Sequence, residues 1–254
     1  MMVGFIIKKL ICIDFNMKIV IIHYNTPKLT IALLASLYKN NITENIIVFE
    51  NSDKEPLNVL SLFDYETIDN TKGKIIDFDK EIDKLNKFNH ISSSKINAEM
   101  KGVKYGSVKH ALTVQWLIEH LNDEFILLDS DILIKKDFRH LIDNTKLFVG
   151  QCTKYRVLPF LLYINAPILN EMKIKFFDSV NIHPFKMGYE YDTGGSFYKE
   201  CKNKEFININ LNDYFVHYGS GSWRKNVKSS DGFQGDYKNY TELQFLCENR
   251  NLFM

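Results

Sequence analysis

The run Lys18-Ile19-Val20-Ile21-Ile22-His23-Tyr24 limits the fold of this chain more than any other stretch. Its apolar residues are consecutive rather than alternating, so a strand built from them must be covered on both faces. That is the situation of a strand inside a parallel sheet with helices on each side. Asn25-Thr26-Pro27 ends the run, and Pro27 suits the first turn of a helix, where its missing N–H would have had no partner. Leu29, Ile31, Leu33, Leu34 and Leu37 continue at helical spacing. Ile46 to Glu50 is a second buried strand, ending in Asn51-Ser52-Asp53. Strand, helix and strand at this spacing predict a right-handed βαβ unit.

Residues 54–104, rich in Lys, Asp and Asn, read as mixed loop and helix. Val108, Ala111, Leu112, Trp116 and Ile118 to Leu121 recur at helical spacing and predict a helix over Tyr105 to Leu121. It leads into Glu124-Phe125-Ile126-Leu127-Leu128-Asp129, a third buried strand. Beyond Asp137, Lys146 to Cys152 and Leu158 to Ile164 read as strands, Asp192 to Cys201 as a helix and Asp213 to His217 as a last strand. The 254 residues, 45% hydrophobic, suffice for one core. The expected class is α/β, with a Rossmann-like, mostly parallel sheet flanked by helices. Within that one domain, residues 17–131 form a nucleotide-binding half and residues 132–254 a mixed α+β half for the second substrate. Residues 1–16 read as an N-terminal extension of unclear role.

Composition narrows the partners. A formal net charge of +1, from 32 basic and 31 acidic residues, gives no global attraction to nucleic acid or an acidic membrane. The 19 Phe and 13 Tyr are too dispersed for a base-stacking platform. Cys12, Cys152, Cys201 and Cys247 form no C-x-x-C pair, which fits a reducing cytoplasm better than a zinc ribbon or a disulfide framework. The apolar stretch Met1 to Phe15 is interrupted by Lys8 and Lys9 and lacks a small-residue cleavage site, so it reads poorly as a signal peptide. No stretch is long and apolar enough to span a bilayer, which leaves any membrane contact peripheral. The P-loop and the Gly-rich dinucleotide fingerprint are both absent. A haloacid-dehalogenase-type phosphatase would carry its Asp-x-Asp at the first strand, not mid-chain.

Asp129-Ser130-Asp131 is a weak signal as a bare triplet, and Asp77-Phe78-Asp79 is a second instance. Context separates them. The first follows a buried strand directly, so its carboxylates lie at the rim where open α/β sheets bind ligands. Two carboxylates one residue apart can share a hard cation and leave coordination positions open for phosphate oxygens. No such strand delivers Asp77 and Asp79, which read as loop acids. Tyr24 and Asn25 end the first strand with an aromatic face and an amide, and Glu50 ends the second with a carboxylate able to accept hydrogen bonds from a base or ribose. Taken singly, each is more often a turn residue than a ligand contact. His90, His120, His140 and His183 show no ligand spacing and are expected at surface or satisfied core positions.

From Lys18 to Trp223 these residues resemble the GT-A nucleotide-sugar glycosyltransferases, in particular the inverting family 2. The resemblance is carried by Tyr24-Asn25, Glu50-Asn51-Ser52 and Asp129-Ser130-Asp131. It implies a GT-A type fold and a divalent cation, Mn²⁺ or Mg²⁺, bound by Asp129 and Asp131 with a late histidine, matched by His217. It implies a nucleotide-sugar donor, UDP-linked by family habit, touched by Tyr24, Asn25, Glu50, Asp129 and Ser130 and by a basic residue on the preceding helix, Lys109 or His110. After His217, the Gly-Ser turn of Tyr218 to Trp223 suits phosphate, and Arg224 or Lys225 would cover the diphosphate. A catalytic base for an acceptor hydroxyl is implied in Gly188-Tyr189-Glu190-Tyr191-Asp192, with Asp192 first and Glu190 second. Asp192 can equally serve as a helix N-cap. The competing reading is a non-catalytic nucleotide- or sugar-binding module on the same fold. Neither the sugar nor the acceptor is written in these residues.

Overall fold

The uninterrupted apolar runs become neighbouring parallel strands. In the computed structural model, which describes residues 17–43, 45–58, 62–88, 98–177 and 193–217, β1 (Lys18–His23) lies between β2 (Ile46–Glu50) and β4 (Glu124–Asp129). A short β3 (Glu66–Asp69) adds beyond β2. β7 (Val157–Asn165) pairs antiparallel with β4, β6 (Phe148–Cys152) antiparallel with β7, and the two-residue β8 (Ile207–Asn208) parallel with β6. The seven-stranded sheet therefore runs β3-β2-β1-β4-β7-β6-β8, parallel except at β7. This is the expected α/β class, a mostly parallel sheet. A second, two-stranded sheet joins β5 (Ile132–Ile134) to β9 (Phe215–His217).

Two helical layers cover the sheet. One face buries Val20, Ile22, Phe49, Phe125 and Leu127 against Val108, Ala111, Val114, Leu117 and Ile118 of α3 (Ala98–Leu121). The short helices α4 (Ala166–Glu171) and α5 (Gly195–Cys201) extend that layer. The other face packs Ile19, Ile21, Val48, Ile126 and Leu128 against Leu33, Leu34 and Leu37 of α1 (Pro27–Lys39) and against the β5/β9 sheet. Each of those leucines contributes about 1.5–3 kcal/mol through its burial. Among the described residues, no helix is long and apolar enough to cross a membrane.

Several elements differ from the expected pattern. Residues 54–104 contain β3 and α2 (Phe78–Phe88), and α3 starts at Ala98 rather than at Tyr105. The first residues of α3, Ala98-Glu99-Met100-Lys101, are good helix formers without an apolar stripe, so they leave no periodicity to read. Asp77 caps α2: its Oδ1 accepts from the Lys80 N–H at 3.0 Å, a loop-acid role that needs no cation. The helix expected over Asp192 to Cys201 is described as Gly195–Cys201, with Gly194 as its N-cap. Gly194 has φ 82°, and a Cβ there would lie 2.1 Å from the Val157 carbonyl oxygen, which leaves glycine as the fitting residue.

Candidate functional site

The chain runs outward from β1 to β2 and β3, then returns along α3 to place β4 on the opposite side of β1. The crevice beyond the C-terminal ends of β1 and β4 is therefore a topological switch point, the place where such sheets receive ligands. Ile22 sits opposite Asp129 in the β1/β4 register, so the turn after β1 lies beside Asp129-Ser130-Asp131. Thr26 Oγ1 approaches Ser130 Oγ at 3.5 Å across that junction. Ser130 leads to Asp131 and then into β5, whose first residue, Ile132, is paired with His217 at the end of β9. The pairing carries a histidine from late in the chain to the acid pair. Ligand atoms of Asp129, Asp131 and His217 all lie within 4.8 Å of one another, and His217 Nε2 is 3.4 Å from Asp131 Oδ1.

Two carboxylates and an imidazole, with no thiolate, are a donor set suited to a hard or borderline divalent cation. The surroundings hold these side chains in place. The His217 ring stacks on Phe160 of β7, with centroids 3.8 Å apart and planes 23° apart. Burial opposes protonation of His217 and the buried Arg156 adds to that, but Asp131 and then Asp129 outweigh both and raise its pKa above the usual 6.5. A proton therefore competes with any cation for this imidazole. On the α3 side, His110 Nε2 lies 2.9 Å from Asp129 Oδ1, but its N–H is not aligned as a hydrogen bond requires. Neither His110 ring nitrogen has a hydrogen-bond partner, although both are buried, and an unsatisfied buried polar group costs about 1–3 kcal/mol.

At the β1 and β2 ends, Tyr24 and Lys109 come together: Lys109 Nζ lies 5.6 Å from the Tyr24 ring centroid and 5.6 Å from that of Phe78. Asn25, at φ 53°, donates its N–H to Ser52 Oγ at 2.8 Å and its amide to Asp53. Its Oδ1 accepts from the N–H groups of Lys54 and Glu55, each at 2.9 Å. Glu50 is 4% exposed, and its two oxygens accept from the N–H groups of Ser52 and Leu57, each at 2.7 Å. Both side chains thus fasten the loop after β2. Beneath them, a buried amide network runs from Asn70 to Asn51 to Thr113 on α3, at 2.8 and 3.1 Å.

His23 is wholly buried and satisfied. Its Nε2 lies 3.1 Å from the Glu55 carbonyl, which can only accept, so Nε2 carries the proton and Nδ1 accepts from the Thr30 hydroxyl at 2.8 Å. His120 stacks on Trp116 and His140 meets Tyr214, as expected of surface histidines. Burial pushes the Cys152 and Cys201 thiols up to about 12, so neither offers a thiolate at neutral pH. Asp192, Glu190, Arg224, Lys225 and the Gly-Ser turn lie outside the described residues. Sequence reasoning did not find Phe160, Arg156 or the contact between His110 and Asp129. Phe160 and Arg156 carry no motif, and only the β4/β7 pairing brings that part of the chain to the acids.

Solved structures similar to this chain include glycosyltransferases. The WbbM bifunctional glycosyltransferase shares 12% identity and a TM-score of 0.46, over 94% of this chain and 45% of its own. The galactosyltransferase LgtC, in complex with donor and acceptor sugar analogs, shares 12% at a TM-score of 0.44, over 77% of this chain and 74% of its own. The glycosyltransferase GlyE of Streptococcus pneumoniae TIGR4 shares 12% at 0.46, over 77% and 46%. The chain thus spans less than half the length of WbbM and GlyE. No protein-family model matches the sequence, and no curated protein matches it.

Proposed function

We propose that this protein is a metal-dependent glycosyltransferase, moving a sugar from a nucleotide-diphosphate donor, UDP-linked, to an acceptor hydroxyl with inversion at the anomeric carbon. The observation that carries the proposal is the convergence of Asp129, Asp131 and His217 at the β1/β4 switch point. A divalent cation, Mn²⁺ or Mg²⁺, held by these three side chains would stabilise the charge that develops on the diphosphate leaving group. Tyr24 and Lys109, adjacent at the same rim, offer an aromatic face and a donor to the nucleotide. Asn25 and Glu50 contribute by fixing the loop of residues 52–57 around it. Ser130 ties the acid turn to Thr26. Residues 17–131 serve the donor and residues 132–254 the acceptor, with His217 reaching from the second half into the first.

Arg224 is assigned to the diphosphate, and Asp192, with Glu190 as the second candidate, to removing the proton of the attacking hydroxyl. Attack from the face opposite the leaving group inverts the anomeric carbon. The test uses the full chain with a panel of nucleotide sugars and acceptors, with Mn²⁺ or Mg²⁺ and with EDTA. Consumption that stops in EDTA and drops at least about 100-fold in Asp131→Ala is expected. Metal-dependent turnover that survives Asp131→Ala removes the central assignment. Retained anomeric configuration in an NMR assay removes direct displacement and the base role of Asp192. Donor binding without consumption across the panel favours the non-catalytic module.

A further inference from the structure

We infer that His110 is a positioning residue of the cation centre: with a cation bound it would donate to the Asp129 carboxylate and so set how tightly the centre holds its cation. This rests on the reading of Asp129, Asp131 and His217 as cation ligands. A carboxylate at the end of a strand can turn about its own bonds and offer either oxygen in several directions. If one oxygen is engaged from behind, the other is left facing the cation, and such outer partners commonly govern affinity. His110 stands where that partner is needed, with Nε2 2.9 Å from Asp129 Oδ1. It projects from α3, whose Ala111 and Val114 are locked in the core beneath the sheet, so the ring has a rigid base.

The state of the ring supports the same role. The fold satisfies the buried His23 completely, through Thr30 and Glu55, yet leaves both nitrogens of His110 without hydrogen bonds. Buried polar groups are seldom left so, and exceptions concentrate where a group is reserved for a ligand-dependent contact. The His110–Asp129 distance already suits a hydrogen bond, and only the alignment is missing. Contacts in reaction sites are often misaligned before the ligand arrives and tighten in the complex.

The experiment compares full-length wild type, His110→Leu, His110→Gln and Asp131→Ala. Binding of Mn²⁺ alone is read from the EPR signal of free Mn²⁺, and metal-free thermal midpoints are measured in EDTA. The Gln side-chain nitrogen approximates the reach of Nε2, whereas Leu fills the space without a donor. His110→Leu is expected to weaken Mn²⁺ binding about 10- to 100-fold. Its metal-free midpoint should stay level or rise, because two unsatisfied buried nitrogens are gone, and His110→Gln should restore most of the affinity. Unchanged Mn²⁺ affinity in His110→Leu overturns the proposal. So does weakening that tracks an equal loss of metal-free stability and is not rescued by Gln, which would make His110 merely structural. If wild type and Asp131→Ala bind Mn²⁺ equally weakly, the cation centre itself is wrong, a different result from either of those.

Discussion

His23 is kept neutral by its surroundings. Burial lowers its pKa below 6.5, and although Glu50, 3.8 Å away, pulls the other way, burial prevails. The folded state therefore binds this proton less readily than the unfolded chain. Stability from this group is complete above about pH 6.5 and is lost as pH falls toward the depressed folded value, with a slope of at most about 1.4 kcal/mol per pH unit. In urea titrations of the metal-free protein at pH 7.5 and 5.5, His217, whose pKa is raised, acts in the opposite sense, so the test is the comparison: on going to pH 5.5, His23→Asn should lose less stability, or gain more, than wild type. At this scale the sequence was a good guide to position and a poor one to partners. Asp129 and Asp131 were legible because a strand delivers them, and His217 through a resemblance. Asn25 and Glu50 were placed at the rim correctly, but their hydrogen bonds depend on how residues 52–57 fold back, which no local pattern encodes.

Where β7 begins, the hairpin of β6 and β7 meets the start of α5 backbone to backbone. Val157 donates its N–H to the Gly194 carbonyl at 3.2 Å, and its own carbonyl occupies the space a Gly194 side chain would need. Gly194→Ala combines that clash with a left-handed φ and should cost at least about 3 kcal/mol. Chemical denaturation of the metal-free variant reads this directly, and a cost under about 1 kcal/mol would show that the contact yields easily. Elements were legible where burial imposed a long pattern, as in β1, β2, β4 and α1. They were illegible where they are short or exposed. β3 is mostly solvent-facing, β8 has two residues, and β5 is recognisable only once β9 lies beside it. Their formation depends on neighbours rather than on their own residues.

Across the whole molecule, the fold class followed from three consecutive-apolar runs, because strands of that kind demand cover on both faces. The order of strands did not follow, since nothing local reveals that β7 inserts antiparallel between β4 and β6. That insertion is also what brings Phe160 against His217. The β5/β9 pairing has a consequence in time as well as in space. It joins chain segments separated by β6, β7, α4, α5 and β8, so a long loop must close before His217 can meet Asp131. Contacts of this kind usually form after the folding barrier is crossed and are the first to open on the way back. A cation bridging them would act as a latch. Stopped-flow measurements with Mn²⁺ should show slower unfolding and an unchanged refolding rate. Faster refolding instead would place this closure in the folding nucleus.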